Sequence, residues 1–297
     1  MERPYCRTEL PGEIRLYVRG RAAFQLAALV IAGCVTAIAQ QSTVNPQQLV
    51  REAVAKELGS PFVVQNCSYQ YHRRVSGREE TLLMIKSSDL IVGKVVSIDG
   101  APVSADQEEK QDKDLRHLLD DPRERQRQLE KQQKFERYIR DLVEALPDAF
   151  QYTETRTEKG PQGRPLVHLT FQPSPTYEPA HADQQVLRGL AGTMVIDRSR
   201  KQIVSLDARL FKDVDFGWGV LVSLSKGGTL LLVRDPEAPP ESNLQTFSLN
   251  VGGRILLLKK LDLHWSFDHF EALRGVVDLA SAIEMLTTSK VASTLPH

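Results

Sequence analysis

The sequence predicts an α+β protein built on a curved antiparallel β-sheet with helices on one face. Three observations carry this. Segments of β character follow one another through short turns, so consecutive strands pair antiparallel. A single long charged helical segment, 104–146, interrupts them, where a doubly wound parallel sheet would alternate strands with helices. One half of that insertion also carries an apolar stripe: Phe135, Tyr138, Ile139, Leu142, Val143 and Leu146 recur at i, i+3, i+4 spacing and need a surface to dock on. The expected architecture is a sheet of about nine to eleven strands, with 135–146 lying across its concave face.

The N-terminus reads as a leader. Arg15, Arg19 and Arg21 form its cationic part, residues 22–39 carry no charge, and Ala37-Ile38-Ala39 offers the small-x-small pattern of a signal peptidase site. Residues 1–39 are therefore expected to direct export to the periplasm or beyond. Two processing routes compete. Cleavage after Ala39 releases a chain starting at Gln40. Ile31-Ala32-Gly33-Cys34 resembles a bacterial lipobox, in which Cys34 is lipidated and anchors the protein to the envelope, although Val35 to Ala39 stays apolar beyond it. The apolar run is shorter than the ~20 residues that span a bilayer, which disfavours an uncleaved anchor.

Asn45-Pro46 opens a short helix that Gly59 ends, with Leu49, Val50, Ala53, Val54 and Leu58 as its apolar face. Strands are expected at 62–73, 80–86 and 90–98. In the first, Val63, Cys67, Tyr69 and Tyr71 alternate with polar residues as in a half-buried strand. Ser104 and Gln107 then form a capping box. Asp120-Asp121-Pro122 divides the insertion into two helices. The first half has only Leu115, Leu118 and Leu119 as apolar anchors, so it reads as a solvated, opening lid hinged at that break.

Strands resume at 150–158 and 166–172 around Lys159-Gly160-Pro161-Gln162-Gly163. They continue, after a helical turn near 183–190, at 192–197, 202–214, 218–224, 229–234, 245–251 and 254–269. Gly252-Gly253 reads as a turn, and 276–288 as a terminal helix. A single domain over 40–275, followed by a C-terminal helix and tail over 276–297, accommodates all of this.

The chemistry is sparse. The 38 basic and 38 acidic residues cancel, leaving no field that would draw nucleic acid. Of three cysteines, Cys6 and Cys34 lie in or beside the leader, so Cys67 is expected as a small buried apolar residue without a disulfide. His264 and His269 are an odd number apart on a strand and face opposite sides, and His181 with Asp183 lacks a third ligand, so no metal is expected. No nucleophile elbow, P-loop or dinucleotide fingerprint occurs. No cofactor is implied and the protein is expected not to be an enzyme.

Apolar runs remain: 219–222, 230–233 and 255–258 are too hydrophobic for one buried face. Phe216-Gly217-Trp218-Gly219 suggests a bend that presents an indole at a cavity mouth. Trp218, Leu221, Leu231 and Leu256, with Phe135, Tyr138 and Leu142 of the insertion, are the candidate lining of an apolar ligand cavity. A covering helix is the other way to bury these runs.

Val96 to Ser104, Leu146-Pro147-Asp148-Ala149-Phe150, Gly192 to Asp197, Val214 to Gly219 and Gly253 to Lys259 together resemble a bacterial secreted family related to the LolA/LolB/RseB-like lipoprotein-carrier group. The resemblance implies an incomplete antiparallel β-barrel around a helix, with a hydrophobic cavity that accepts acyl chains in the carriers. The expected role is a non-enzymatic envelope protein that binds a lipid or an acylated protein. The alternative is an envelope protein-interaction or stress-sensing module that uses the charged insertion. A hydrolase with an unrecognised site is the third possibility. Membrane association is expected only if Cys34 is lipidated.

Overall fold

The computed structural model describes residues 45–59, 67–75, 77–216, 222–237, 244–255 and 259–288. The leader with Cys34, and the cavity candidates Trp218, Leu221 and Leu256, lie outside these residues, as do the first positions of the strand expected from 62.

The chain starts with helix α1, Pro46–Leu58. Asn45 caps it by accepting the Gln48 N–H, and Pro46 occupies the first helical turn. Strands β1 (Cys67–Val75), β2 (Arg78–Lys86), β3 (Ile91–Ile98) and β4 (Ala101–Pro102) follow. Two helices, α2 (Ala105–Asp120) and α3 (Pro122–Ala149), form the insertion. β5 (Phe150–Lys159) and β6 (Pro165–Pro173) make the expected hairpin, and a 3₁₀ turn at Ala182–Gly189 leads into β7 (Leu190–Asp197). The rest comprises β8 (Gln202–Leu210), β9 (Val214–Phe216), β10 (Val222–Leu224), β11 (Thr229–Arg234), β12 (Leu244–Ile255), β13 (Lys259–Ala272) and helix α4 (Leu279–Thr288).

Among the described residues, all thirteen strands join one curved, unclosed antiparallel sheet, in the order β4-β3-β2-β1-β13-β12-β11-β8-β7-β6-β5, with β10 and β9 attached beside β12. The α+β class is as expected, and the strand number exceeds expectation because 202–214 divides into two strands and Ala101–Pro102 adds a short one. Gly252-Gly253 is not a turn. β12 runs through both glycines, because β10 passes so close that a Cβ at Gly253 would lie 2.2 Å from the Ser223 carbonyl oxygen.

Register gives the two faces opposite characters. Leu169, Met194, Leu206, Leu232, Phe247, Phe267, Tyr71 and Leu82 stand directly opposite one another, strand after strand, as one transverse apolar row. The corresponding row on the other face reads Thr170, Thr193, Asp207, Leu231, Ser248, Ser266, His72 and Thr81. Leu231 therefore sits on the polar face, opposite the expected lining. In an all-apolar run such as 230–233, the neighbouring strands decide which alternate residues turn inward.

Helix α3 covers the apolar face. Its 28 residues reach about 42 Å at 1.5 Å per residue, and its contacts run from β3 near one edge of the curved sheet to β5 at the other. Near one end, Gln132 bonds both the N–H and the C=O of Ile91 on β3, at 3.0 and 2.8 Å. At the other, the Tyr152 hydroxyl on β5 donates to the Leu146 carbonyl at 2.9 Å. Leu142, Val143 and Leu146 pack with α1 on the main core of Val167, Leu169, Phe171, Met194 and Ile196. The bidentate pair of Arg234 with Glu57, at 2.5 and 2.9 Å, ties α1 to β11.

A second core lies beyond β1 on the opposite face, where Ile85 and Val92 meet α4 (Leu279, Ala282, Ile283, Leu286) and Leu115 of α2. This corrects the reading of the first half of the insertion as solvated. Helix α2 is docked, largely through polar groups. Lys94, only 3% exposed, pairs with Glu108 and Asp112 at 2.8 and 2.7 Å, and Gln111 bonds the N–H and C=O of Val95 at 2.7 and 3.1 Å.

The expected hinge is likewise closed by hydrogen bonds. Asp121 accepts the Arg123 and Glu124 N–H groups, while Arg125 donates to the last carbonyls of α2 at Leu118 and Leu119. Amides from Glu108 to Leu119 are therefore expected to resist hydrogen exchange nearly as well as those from Tyr138 to Leu146. Rapid exchange confined to α2 would refute the docking.

Candidate ligand-binding face

The apolar face changes along the sheet. Over β5 to β8 it is sealed under α1 and the C-terminal half of α3, with Leu169 and Met194 each 1% exposed. Over β12, β13 and β1 it turns aromatic and half-open. Tyr71 stacks on Phe267 with centroids 4.8 Å apart and planes 11° from parallel. Phe247 meets Phe267 at 5.6 Å, and Tyr69 lies edge-on to the same ring at 5.8 Å. Phe270 stacks on Tyr69 at 5.2 Å. It reaches this face because β13 bulges between the partners of Ser68 and Gln70, with His269 in a left-handed conformation at φ 51°.

Trp265 occupies the neighbouring transverse row, between Leu249 and Arg73. Phe135 of α3 stands edge-on to it at 6.4 Å and is 50% exposed. The two rings are where helix and open part of the sheet meet. That row ends in a charge pair, with Arg73 donating through Nε and Nη2 to Oε2 of Glu80 at 2.8 Å. Burial pushes the Tyr69 and Tyr71 phenols above their ordinary range, so both stay neutral hydroxyls at physiological pH.

Of the residues expected to line a cavity, the structure brings Phe135, Tyr138 and Leu142 to the helix over this face. Leu142 packs into the sealed core and Phe135 over the open end. Tyr138 lies between them in sequence, its phenol raised by burial and by nearby Asp183. Leu231 is on the polar face. Sequence reasoning missed Tyr71, Phe247, Trp265, Phe267 and Phe270 as a group. A signal was present, since Tyr69/Tyr71 and Trp265/Phe267 each have period two, but nothing local states that β1 and β13 are neighbours.

The polar face carries a hydrogen-bonded chain of side chains. Thr81 Oγ1 lies 3.1 Å from Nδ1 of His72, and His72 Nε2 lies 3.0 Å from Oδ1 of Asp268, which also contacts His269 Nδ1 at 2.7 Å. Burial raises the Asp268 pKa, but the two histidine hydrogen bonds outweigh it and hold the carboxyl below its usual range. The chain spans three adjacent strands as cross-strand contacts. Among the described residues, no cluster of His, Cys, Asp and Glu is arranged to hold a metal ion. On this side an open depression of about 350 Å³ lies between α2 and α4, lined by Arg116, Leu119, Ile283 and Glu284 among others.

Cys67 is 2% exposed and directly opposite Lys86. Burial pushes its thiol up to about 11 despite the opposing field of Lys86. Two units above an ordinary thiol leaves roughly 100-fold less thiolate at pH 8. Alkylation at Cys67, followed by peptide mass spectrometry, is expected to be negligible in the folded protein and complete in urea. Fast labelling of the folded protein would contradict this burial.

No protein-family model, curated protein or solved structure matches the chain.

Proposed function

We propose that the protein is a non-enzymatic component of the bacterial cell envelope that holds a lipid, or the acyl chain of a lipoprotein, against the aromatic end of the face under α3. One observation carries the reading: a contiguous row of half-buried aromatic rings continues a sealed core, beneath a helix whose Phe135 meets it at Trp265. A contiguous apolar surface left only partly covered is a place where an apolar ligand can bind. The cationic, apolar leader at 1–39 supports export, with lipidation at Cys34 as the route to membrane attachment. A distant relationship to the LolA/LolB/RseB-like carriers belongs to the same proposal. The envelope-interaction reading draws less support, because Glu108, Gln111, Asp112 and Gln132 of the insertion are turned inward to hold β3.

The test is binding of a fluorescent fatty acid to delipidated protein, beside native mass spectrometry of protein purified from the envelope. Phe267→Ser and Trp265→Ala are each expected to weaken binding about tenfold or more, the consequence of losing one well-buried aromatic contact. Circular dichroism should remain native. A delipidated protein that binds no fatty acid, or one indifferent to both substitutions, would refute the proposal.

A further inference from the structure

The strand order leaves the sheet with two ends, and they are finished differently. At the β3 end the outward backbone groups of Ile91 and Val95 are taken by the side-chain amides of Gln132 and Gln111, each acting as acceptor and donor in the manner of a strand, and β4 pairs with Ser97 and Ile98. Such capping prevents another strand from adding there.

Among the described residues, β5 has no equivalent cover. The Ser174 N–H donates to the Ala149 carbonyl, and the Gly160 N–H to the Arg164 carbonyl, each at 2.8 Å, which sets the phase of the β5–β6 ladder at both ends. Antiparallel alternation, with Thr155 as the bulged residue between Glu154 and Arg156, then turns the N–H and C=O of Tyr152, Glu154, Thr157 and Lys159 outward. Gln47 reaches the Phe150 carbonyl at 3.3 Å, and beyond it no described residue bonds these outward groups. Residues 155–159 are all exposed.

We infer that this edge pairs antiparallel with the β5 edge of a second copy, joining two sheets across a two-fold axis. The outward set is self-complementary in a single register: Tyr152 opposes Lys159 of the second copy, and Glu154 opposes Thr157. Both bulges then fall at the centre, where they leave the groups on either side in phase. Charge agrees with this register. Glu154, Thr157 and Lys159 share a face, opposite Leu169, Val167 and Pro165 of β6. Glu154, held by the Thr157 hydroxyl at 2.7 Å, lies diagonally across from Lys159 of the second copy, twice by symmetry. Charged residues usually protect an edge by repelling its own copy; here the opposite signs meet.

Analytical ultracentrifugation of the purified protein tests this. A concentration-dependent monomer–dimer equilibrium is expected. Glu154→Lys sets like charges across the axis and should weaken the dimer about tenfold, and Lys159→Glu should do the same. The double exchange should restore most of the affinity. Glu154→Pro, which removes an outward N–H without touching the ladder to β6, should abolish dimerisation with native circular dichroism. A protein that stays monomeric at every soluble concentration, or a dimer indifferent to Glu154→Lys and Glu154→Pro, would overturn the inference.

Discussion

Asp197→Ala is expected to cost about 3–5 kcal/mol of unfolding free energy, because it strands a charge inside the fold. Asp197 is fully buried at the end of β7. Its Oδ2 accepts from Arg164 Nε at 2.7 Å, and its Oδ1 accepts the Arg200 N–H at 2.9 Å. The Arg164 side chain is 12% exposed, so without the carboxylate the guanidinium keeps only its contacts to Gln162 and the Pro236 carbonyl. Asp197→Asn, which retains an acceptor for Arg200, should lose less. The paired change Arg164→Met with Asp197→Leu should recover much of the stability by removing both charges. Denaturant unfolding measures all three. A loss under about 1 kcal/mol for Asp197→Ala would mean that the pair is solvated.

Leu169→Ala is expected to cost about 2–5 kcal/mol, the range for deleting a buried Leu side chain in a core that relaxes only partly. Leu169 is 1% exposed and opposes Met194, with Val167 and Phe171 beside it on β6. Phe267→Ala lies in the same transverse row, five strands further along. It should cost clearly less despite removing a larger group, because its surroundings are half-open. The contrast separates stability from binding: Leu169→Ala should lower the melting temperature, whereas Phe267→Ala should mainly weaken the apolar ligand. Equal losses would mean that the aromatic end is as closed as the core.

Local signals made most elements legible. Asn45 and Pro46 set α1, Ser104 with Gln107 sets the start of α2, and Asp121-Pro122 sets the junction of α2 and α3, because caps act over three or four residues of chain. The stripe from Phe135 to Leu146 likewise predicted that this half of the insertion docks on the sheet. The docking of α2 was not legible, since it depends on Lys94 and the backbone of Val95, which sequence periodicity does not register.

The candidate site shows the same division. Leu142 and Phe135 were identifiable from helical spacing. Leu231 was misplaced, because four consecutive apolar residues have no intrinsic inward parity. The choice of Leu230 and Leu232 came from Ala208 and Leu206 on one side and Leu249 and Phe247 on the other. The aromatic patch joins Tyr69 and Tyr71 to residues nearly 200 positions later, and one of its rings, Phe270, arrives only through a bulge.

By itself, then, the sequence determined the α+β class, the antiparallel connectivity and the amphipathic helix, all consequences of short-range periodicity, capping and turn chemistry. The tertiary structure alone decided which strands are neighbours, which face of β11 is inside, and where the apolar face is sealed or open. Those depend on cross-strand register, a relation between residues distant in the chain whose energy comes from packing both sides at once.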